Sequence, residues 1–274
     1  MLLKALTPLP ALQPYVAAMW LFESDFGVPI TSSRVIAPNG KAKIILPYCN
    51  ALYTRPGEPE AVCYPEGKIC FIGPWETPVT IGSTARKTGT LGIELTPTGA
   101  YRLTAVPLYA LAGQILGFDD IYGSKGLALE RRLAEEPDPL QKAELLQRFL
   151  QEQLFSLQRE QAIVDFSARS ILSDLGRTEI RSLEHTTGYS RRYLTRLFQE
   201  HVGMSPKTLA AITRFQQFYH RWAQNPQQGF YREDLYAFYF DQSHFIKEFR
   251  RFTGFSPNVY ADTDNEFGRI FYRR

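Results

Sequence analysis

The spacing of apolar positions changes character part-way along the chain. Up to about residue 95, short β-prone runs fall at 31–37, 41–48, 50–54, 68–72, 77–82 and 88–95. Turn formers separate them: Pro38-Asn-Gly40, Arg55-Pro-Gly57, Pro65-Glu-Gly67 and Gly73-Pro74. Short runs bounded by such clusters read as strands, and this density of them predicts a small antiparallel barrel or sandwich. Residues 11–22, anchored by Tyr15, Trp20 and Phe22, read as helix or strand leading into a strand. From Pro107 the period becomes helical. Leu108, Leu111, Ile115 and Leu116 predict one helix, residues 127–134 a second and 140–157 a third, with Leu145, Leu146, Phe149, Leu150 and Leu154 on one stripe. That third helix either packs within the chain or forms a dimer interface. Ile163, Phe166, Ala168 and Ile171 then begin an all-helical half.

Within that half, Leu194, Leu197 and Phe198 recur at helical spacing, so one face of their helix is apolar, while Arg191, Arg192, Thr195 and Gln199 take the other side. Ser190 suits the N-cap and Gly188 a tight turn before it. Residues 178–186, carrying Ile180 and Leu183, read as a short preceding helix, so the layout is helix, turn, helix. The pattern then repeats. Leu194-Thr-Arg-Leu-Phe198 is echoed by Phe245-Ile-Lys-Glu-Phe249, and Gly203-Met-Ser-Pro206 by Gly254-Phe-Ser-Pro257. Both pairs share one offset, which marks an internal duplication. Between the units, Ser205-Pro206 opens a helix to about residue 224, lined by Leu209, Ile212, Phe215, Phe218 and Trp222. The chain therefore reads as α+β. An antiparallel β-barrel or sandwich with helices spans residues 1–157, and an all-α domain with two helix-turn-helix units joined by a long helix spans 158–274.

At 274 residues, two domains can each bury a core. No apolar run approaches the ~20 residues that span a bilayer, and the first residues lack the features of a secretory signal. Three cysteines argue against a disulfide framework and for a cytoplasmic setting. Charge is uneven: residues 1–157 carry 14 Lys+Arg against 15 Asp+Glu, and residues 158–274 carry 17 against 13. The basic excess sits with the repeated motif and is modest, so non-specific attraction to nucleic acid is weak and salt-sensitive.

Residues 188–198, 203–207, 241–245 and 249–257 carry a resemblance to the AraC/XylS family of bacterial transcriptional regulators, covering roughly 160–262. A looser one, carried by residues 38–46, 92–101 and 107–111, links the N-terminal part to a sensor domain of a subgroup of those regulators. The resemblance implies a sequence-specific DNA-binding regulator, an activator by the habit of the family, with double-stranded DNA and RNA polymerase as partners. It places base-reading roles on Arg192, Thr195 and Arg196 in the first unit and on Gln242, Ser243, Ile246 and Lys247 in the second. The chemistry agrees where it can be checked: Arg pairs bidentately with guanine, Gln with adenine, and Ile can only touch a thymine methyl. Arg191, Lys207, Arg250 and Arg251 read as phosphate contacts, which position without specifying. A small-molecule effector and a homodimer remain open.

Three positions depart from the family pattern. Glu184 and Asp234 stand where each first helix usually has a small Ala, and Phe238 where the second turn usually has Gly. A carboxylate at a helix contact must find a partner or stay wet, and a bulky residue forced to positive φ costs ~1–3 kcal/mol. These departures motivate a rival reading, a degenerate member acting through protein contacts.

A barrel enzyme is the other rival. All four histidines (His185, His201, His220, His244) lie in the C-terminal half, so the β-rich part lacks the imidazoles a cupin-type metal centre needs. Cys49, Cys63 and Cys70 lack metal-site spacing and read as buried small residues or, alternatively, a thiol sensor. No P-loop, Gly-x-Ser-x-Gly or paired-carboxylate motif occurs. The expectation is therefore no catalytic residues, no metal and no cofactor. Trp20, Tyr48, Tyr53, Tyr64, Trp75 and Tyr101 either line an effector pocket or are ordinary core aromatics, with Glu94 and Arg102 placed to supply charge.

Overall fold

The computed structural model describes residues 2–27, 35–54, 62–83, 85–154, 159–224, 239 and 241–261. The described residues of the N-terminal half contain the strands β1 (Leu2–Ala5), β2 (Val16–Ser24), β3 (Val35–Ile36), β4 (Lys43–Cys49), β5 (Leu52–Thr54), β6 (Cys63–Tyr64), β7 (Cys70–Ile72), β8 (Val79–Gly82), β9 (Thr88–Leu95) and β10 (Ile115–Gly117). They form a six-stranded sheet ordered β1-β2-β9-β4-β7-β10 and a four-stranded sheet ordered β3-β8-β5-β6. All pairings are antiparallel.

Alternation along the larger sheet gives it two apolar faces. Trp20, Phe22, Ile45 and Cys70 cluster with Leu52 and Tyr64 of the smaller sheet. Their neighbours Met19, Leu21, Ile44, Leu46 and Phe71 point the other way. There they meet α1 (Gly99–Thr104), α2 (Leu108–Leu111), α3 (Phe118–Tyr122), α4 (Ser124–Glu135) and α5 (Pro139–Gln153). The stripe of α5 is therefore used within the chain: Leu146 and Leu150 are fully buried in this cluster, with Leu145, Phe149 and Leu154 packed against it.

One expectation needs correction. Ile115 and Leu116 fit a helical spacing with Leu108 and Leu111, yet α2 stops at Leu111 and Gly113 turns with φ +69°. Residues 115–117 then pair with β7 at the sheet edge. A free edge accepts any three residues that reach it, so pairing overrode the local period. Residues 11–22 resolve into a 3₁₀ turn at Pro10–Leu12 followed by β2.

The helical half comprises α6 (Arg159–Ser173), α7 (Ile180–Thr187), α8 (Arg191–Val202), α9 (Pro206–Gln224), α10 (Gln242–Thr253) and α11 (Pro257–Ala261). Its core joins Val164, Ile171, Leu194, Leu197, Phe198, Ile212, Phe215, Phe218, Phe245, Phe249 and Tyr260. Ala37, from the turn before β4, is buried in the same cluster. Gln216 Nε2 donates to the Pro38 carbonyl at 2.7 Å, so α9 is tied directly to the β-rich half.

Candidate nucleic-acid interface and interdomain cavity

The first unit is α7, a turn and α8. Gly188 makes the turn at φ +74°, in the left-handed region that favours glycine. Ser190 caps α8, its Oγ accepting from the Tyr193 N–H. Glu184 supplies a second cap: its Oε1 accepts from the Arg191 N–H at 2.5 Å, across the turn. Two orphan donors of the helix start are thus satisfied, and a carboxylate beside a helix N-terminus also meets the favourable end of the macrodipole. The departure at Glu184 is therefore accommodated by the turn itself.

Behind α8, Leu194, Leu197 and Phe198 are buried. In front, Arg191, Arg192, Arg196 and Gln199 are exposed, and together with Ser190, Tyr193 and half-exposed Thr195 they line one open groove. Tyr189 and Tyr193 stack at 4.9 Å, the Arg196 guanidinium lies 4.9 Å from the Tyr193 ring, and Arg196 approaches Glu200 at 3.5 Å. Both contacts are on the surface and leave Arg196 able to exchange them for a phosphate or a base edge.

α10 repeats α8 closely. Asp241 caps it, its Oδ1 accepting from the His244 N–H at 2.7 Å. Each helix has twelve residues and ends in a left-handed glycine, Gly203 at φ +81° and Gly254 at φ +80°. Gln242, Ser243, Lys247 and Arg250 are exposed on α10, whereas Ile246 is half-buried against the core. Arg251, expected at a phosphate, instead pairs with Glu76 at 2.8 Å. His244 Nε2 lies 3.4 Å from Glu248. The same carboxylate takes the Arg214 guanidinium of α9 at 2.8 Å, and Arg214 also donates to the Gly176 carbonyl at 3.0 Å. This pair is largely buried and fixes the crossing of α9 and α10. Asp234 and Phe238 lie outside the described residues.

A family model described as a helix-turn-helix domain matches residues 183–263. The C-terminal segment is an AraC-type helix-turn-helix domain. A second family model, described as a domain of unknown function (DUF6597), matches residues 4–117. The chain shows a likeness to the solved structure of ToxT from Vibrio cholerae, 11% identical, covering 89% of this chain and 97% of that chain at a TM-score of 0.48. Unsaturated fatty acid bound ToxT from Vibrio cholerae strain SCE256 is 9% identical, with coverage of 93% and 96% and a TM-score of 0.46. The AraC-like transcriptional activator CuxR is 14% identical, with coverage of 73% of each chain and a TM-score of 0.23. Among curated proteins no match is found.

Where the AraC-type domain meets the β-rich half there is a cavity of about 400 Å³. Its body is apolar, walled by Ala18, Trp20, Phe22, Ile45, Leu52, Tyr64, Ile72 and Ile81 from the two sheets. Thr213, Gln216, Gln217 and His220 of α9 and Leu172 of α6 close it. At one end sit Asn39, Lys41, Lys43 and Glu94. Lys41 Nζ bonds Glu94 Oε1 at 2.8 Å, Asn39 Nδ2 bonds Glu94 Oε2 at 2.5 Å, and Lys43 Nζ donates to Asn39 Oδ1 at 3.2 Å. Burial drives the Glu94 carboxyl upward, but Lys41 and Lys43 outweigh it and hold the group below the usual range. Burial pulls Lys43 down, against the attraction of Glu94, and Lys41 adds to the depression. Thr90 also lines the cavity, its hydroxyl buried and without a hydrogen-bond partner among the described residues.

Of the expected effector residues, Trp20 and Glu94 line this cavity and Tyr48 and Trp75 do not. Tyr48 donates to Glu23 at 2.9 Å near the sheet end, and Trp75 stands in the β7–β8 connection. Arg102 is buried against Tyr15 instead of facing a ligand. Lys41 and Lys43 were the legible omission. Period two puts Lys43 on the face of β4 that carries Ile45, Lys41 lies two residues before that strand, and Lys43 pairs in register with Glu94. No group of three or more metal-ligating side chains occurs among the described residues.

Proposed function

We propose that this chain activates transcription by reading DNA through α8 and α10, under the control of a small molecule held in the interdomain cavity. The observation that carries it is the groove on α8, where Arg191, Arg192, Thr195, Arg196 and Gln199 converge in front of a buried apolar back. A helix of that build fits a major groove. In this reading Arg192, Thr195 and Arg196, with Gln242, Ser243 and Lys247, face base edges, Arg191 and Arg250 hold phosphates, and Ile246, half-buried against the core, supports α10 from behind. The partition 1–157 and 158–274 is the division between sensing and reading. The ligand has an apolar body for the sheet walls and an anionic head for the lysine pair, since two cations face one carboxylate there. RNA polymerase is the implied partner, the cytoplasm the implied setting, and no catalytic or metal chemistry is assigned.

The test is a salt titration of duplex binding. Arg250→Ala is expected to weaken all duplexes alike and to reduce the slope of log K against log salt by about one. Arg192→Ala is expected to lose preference among sequences. Identical behaviour of the two variants would refute the assignment.

A further inference from the structure

The connection between β7 and β8 touches both recognition helices at the same point of the duplicated motif. α8 ends at Gly203 and α10 at Gly254, which are equivalent by the internal repeat. A Cβ on Gly203 would fall 2.7 Å from Pro74 Cγ, and a Cβ on Gly254 would fall 4.0 Å from Pro78 Cγ. Between the two prolines, Glu76 Oε2 takes the Arg251 guanidinium of α10 at 2.8 Å. A stretch of five residues thus bridges the C-terminal ends of both helices. Its own path is held at each end. The Gly73 N–H donates to the Gln114 carbonyl and the Gly113 N–H to the Pro74 carbonyl, both at 3.0 Å. Beyond Pro78, β8 is paired with β3 and β5.

From this we infer that Pro74, Glu76 and Pro78 set the separation of the two recognition helices, and so select the spacing between the two base-pair segments the protein accepts. It rests on the reading of α8 and α10 as DNA-facing. Two prolines fix φ at the contact points, so the bridge is stiff where it touches. The exposed Glu76–Arg251 pair adds little energy, so the two prolines carry most of the constraint. Spacing is a sharp variable on a duplex, because a shift of 2 bp moves a target ~7 Å along the axis and turns it ~70° around it. The same connection is flanked by Ile72 and Ile81, both in the cavity wall, so a ligand there presses on the two roots of the bridge.

Two measurements on the full chain test this. In the first, nitroxide labels on Gln199→Cys and Lys247→Cys, with Cys49, Cys63 and Cys70 replaced, report the distance between α8 and α10 by double electron–electron resonance. The expected result is one narrow peak, broadened at least about twofold when Pro74→Gly, Glu76→Ala and Pro78→Gly are combined. In the second, the unlabelled protein selects duplexes from a random pool. Unaltered protein is expected to enrich two motifs at one spacing, preferring it over a 2 bp shift by about tenfold, a preference of roughly 1.4 kcal/mol. The triple variant should enrich the same motifs with that preference nearly gone. A peak of unchanged width, or an unchanged single spacing in the variant, overturns the inference. If the unaltered protein enriches nothing, the DNA reading fails and the distance measurement alone decides whether the bridge holds the helices.

Discussion

Glu184 shows how a residue that breaks a pattern can be absorbed locally. The family habit of a small side chain there lets two helices approach, which a carboxylate at the contact opposes. Its Oε1 instead reaches across the turn to the first N–H of α8. Glu184→Ala is expected to cost about 1 kcal/mol, the usual loss on removing a cap, seen as a lower denaturant midpoint with an unchanged slope. Glu184→Gln keeps an acceptor and should recover most of it. Arg192→Ala is different in kind: Arg192 is exposed on α8, so stability should hold while discrimination at one base pair falls by about 1–3 kcal/mol. The exposed front of α8 was legible from helical period alone. The Glu184 bond was not, because it depends on the turn bringing residues seven apart together. Glu76 as the partner of Arg251 was equally hidden, since nothing local links residues 175 positions apart.

At the level of elements, periodicity located β4, β5, β7, β8 and β9 and the helices α4 to α9 to within a few residues. It missed three strands that lie at the edges of the two sheets. β1, β6 and β10 have four, two and three residues and exist because a neighbouring strand offers free backbone groups. The junction of α9 and α10 rests on Arg214 and Glu248, with side chains only 17% and 12% exposed. Glu248→Ala strands a guanidinium in that site and is expected to destabilise the domain by about 3–5 kcal/mol. Replacing both, as Arg214→Met with Glu248→Leu, should restore much of the loss, since paired removal takes away the desolvation penalty too. A thermodynamic cycle of the four proteins by chemical denaturation reads the coupling directly.

At the scale of the whole molecule, the β-rich half and the AraC-type domain share the cavity that both enclose. Composition could not reveal it, because its closure requires α9 to lie over strands that end more than a hundred residues earlier. Its polar end makes a pH prediction. Glu94 titrates below its ordinary value of 4.5 in the folded chain, because the lysine pair outweighs burial. A depressed carboxyl contributes stability that is full above the unfolded value and is lost as pH falls through the folded one. Thermal melting of the unaltered protein should therefore decline as pH falls below about 4.5, and Glu94→Gln should flatten that decline. An equal decline in both would place the acid-sensitive group elsewhere.

In the proposed function this chain recognises DNA sequence through α8. The most direct measurement is fluorescence anisotropy with tiled duplex fragments from the region upstream of its own gene, at low and physiological salt. One fragment is expected to bind far more tightly than the rest, with Arg192→Ala abolishing that preference while leaving the fold intact. Uniform weak binding that vanishes as salt rises would contradict it, because only a basic surface would then remain.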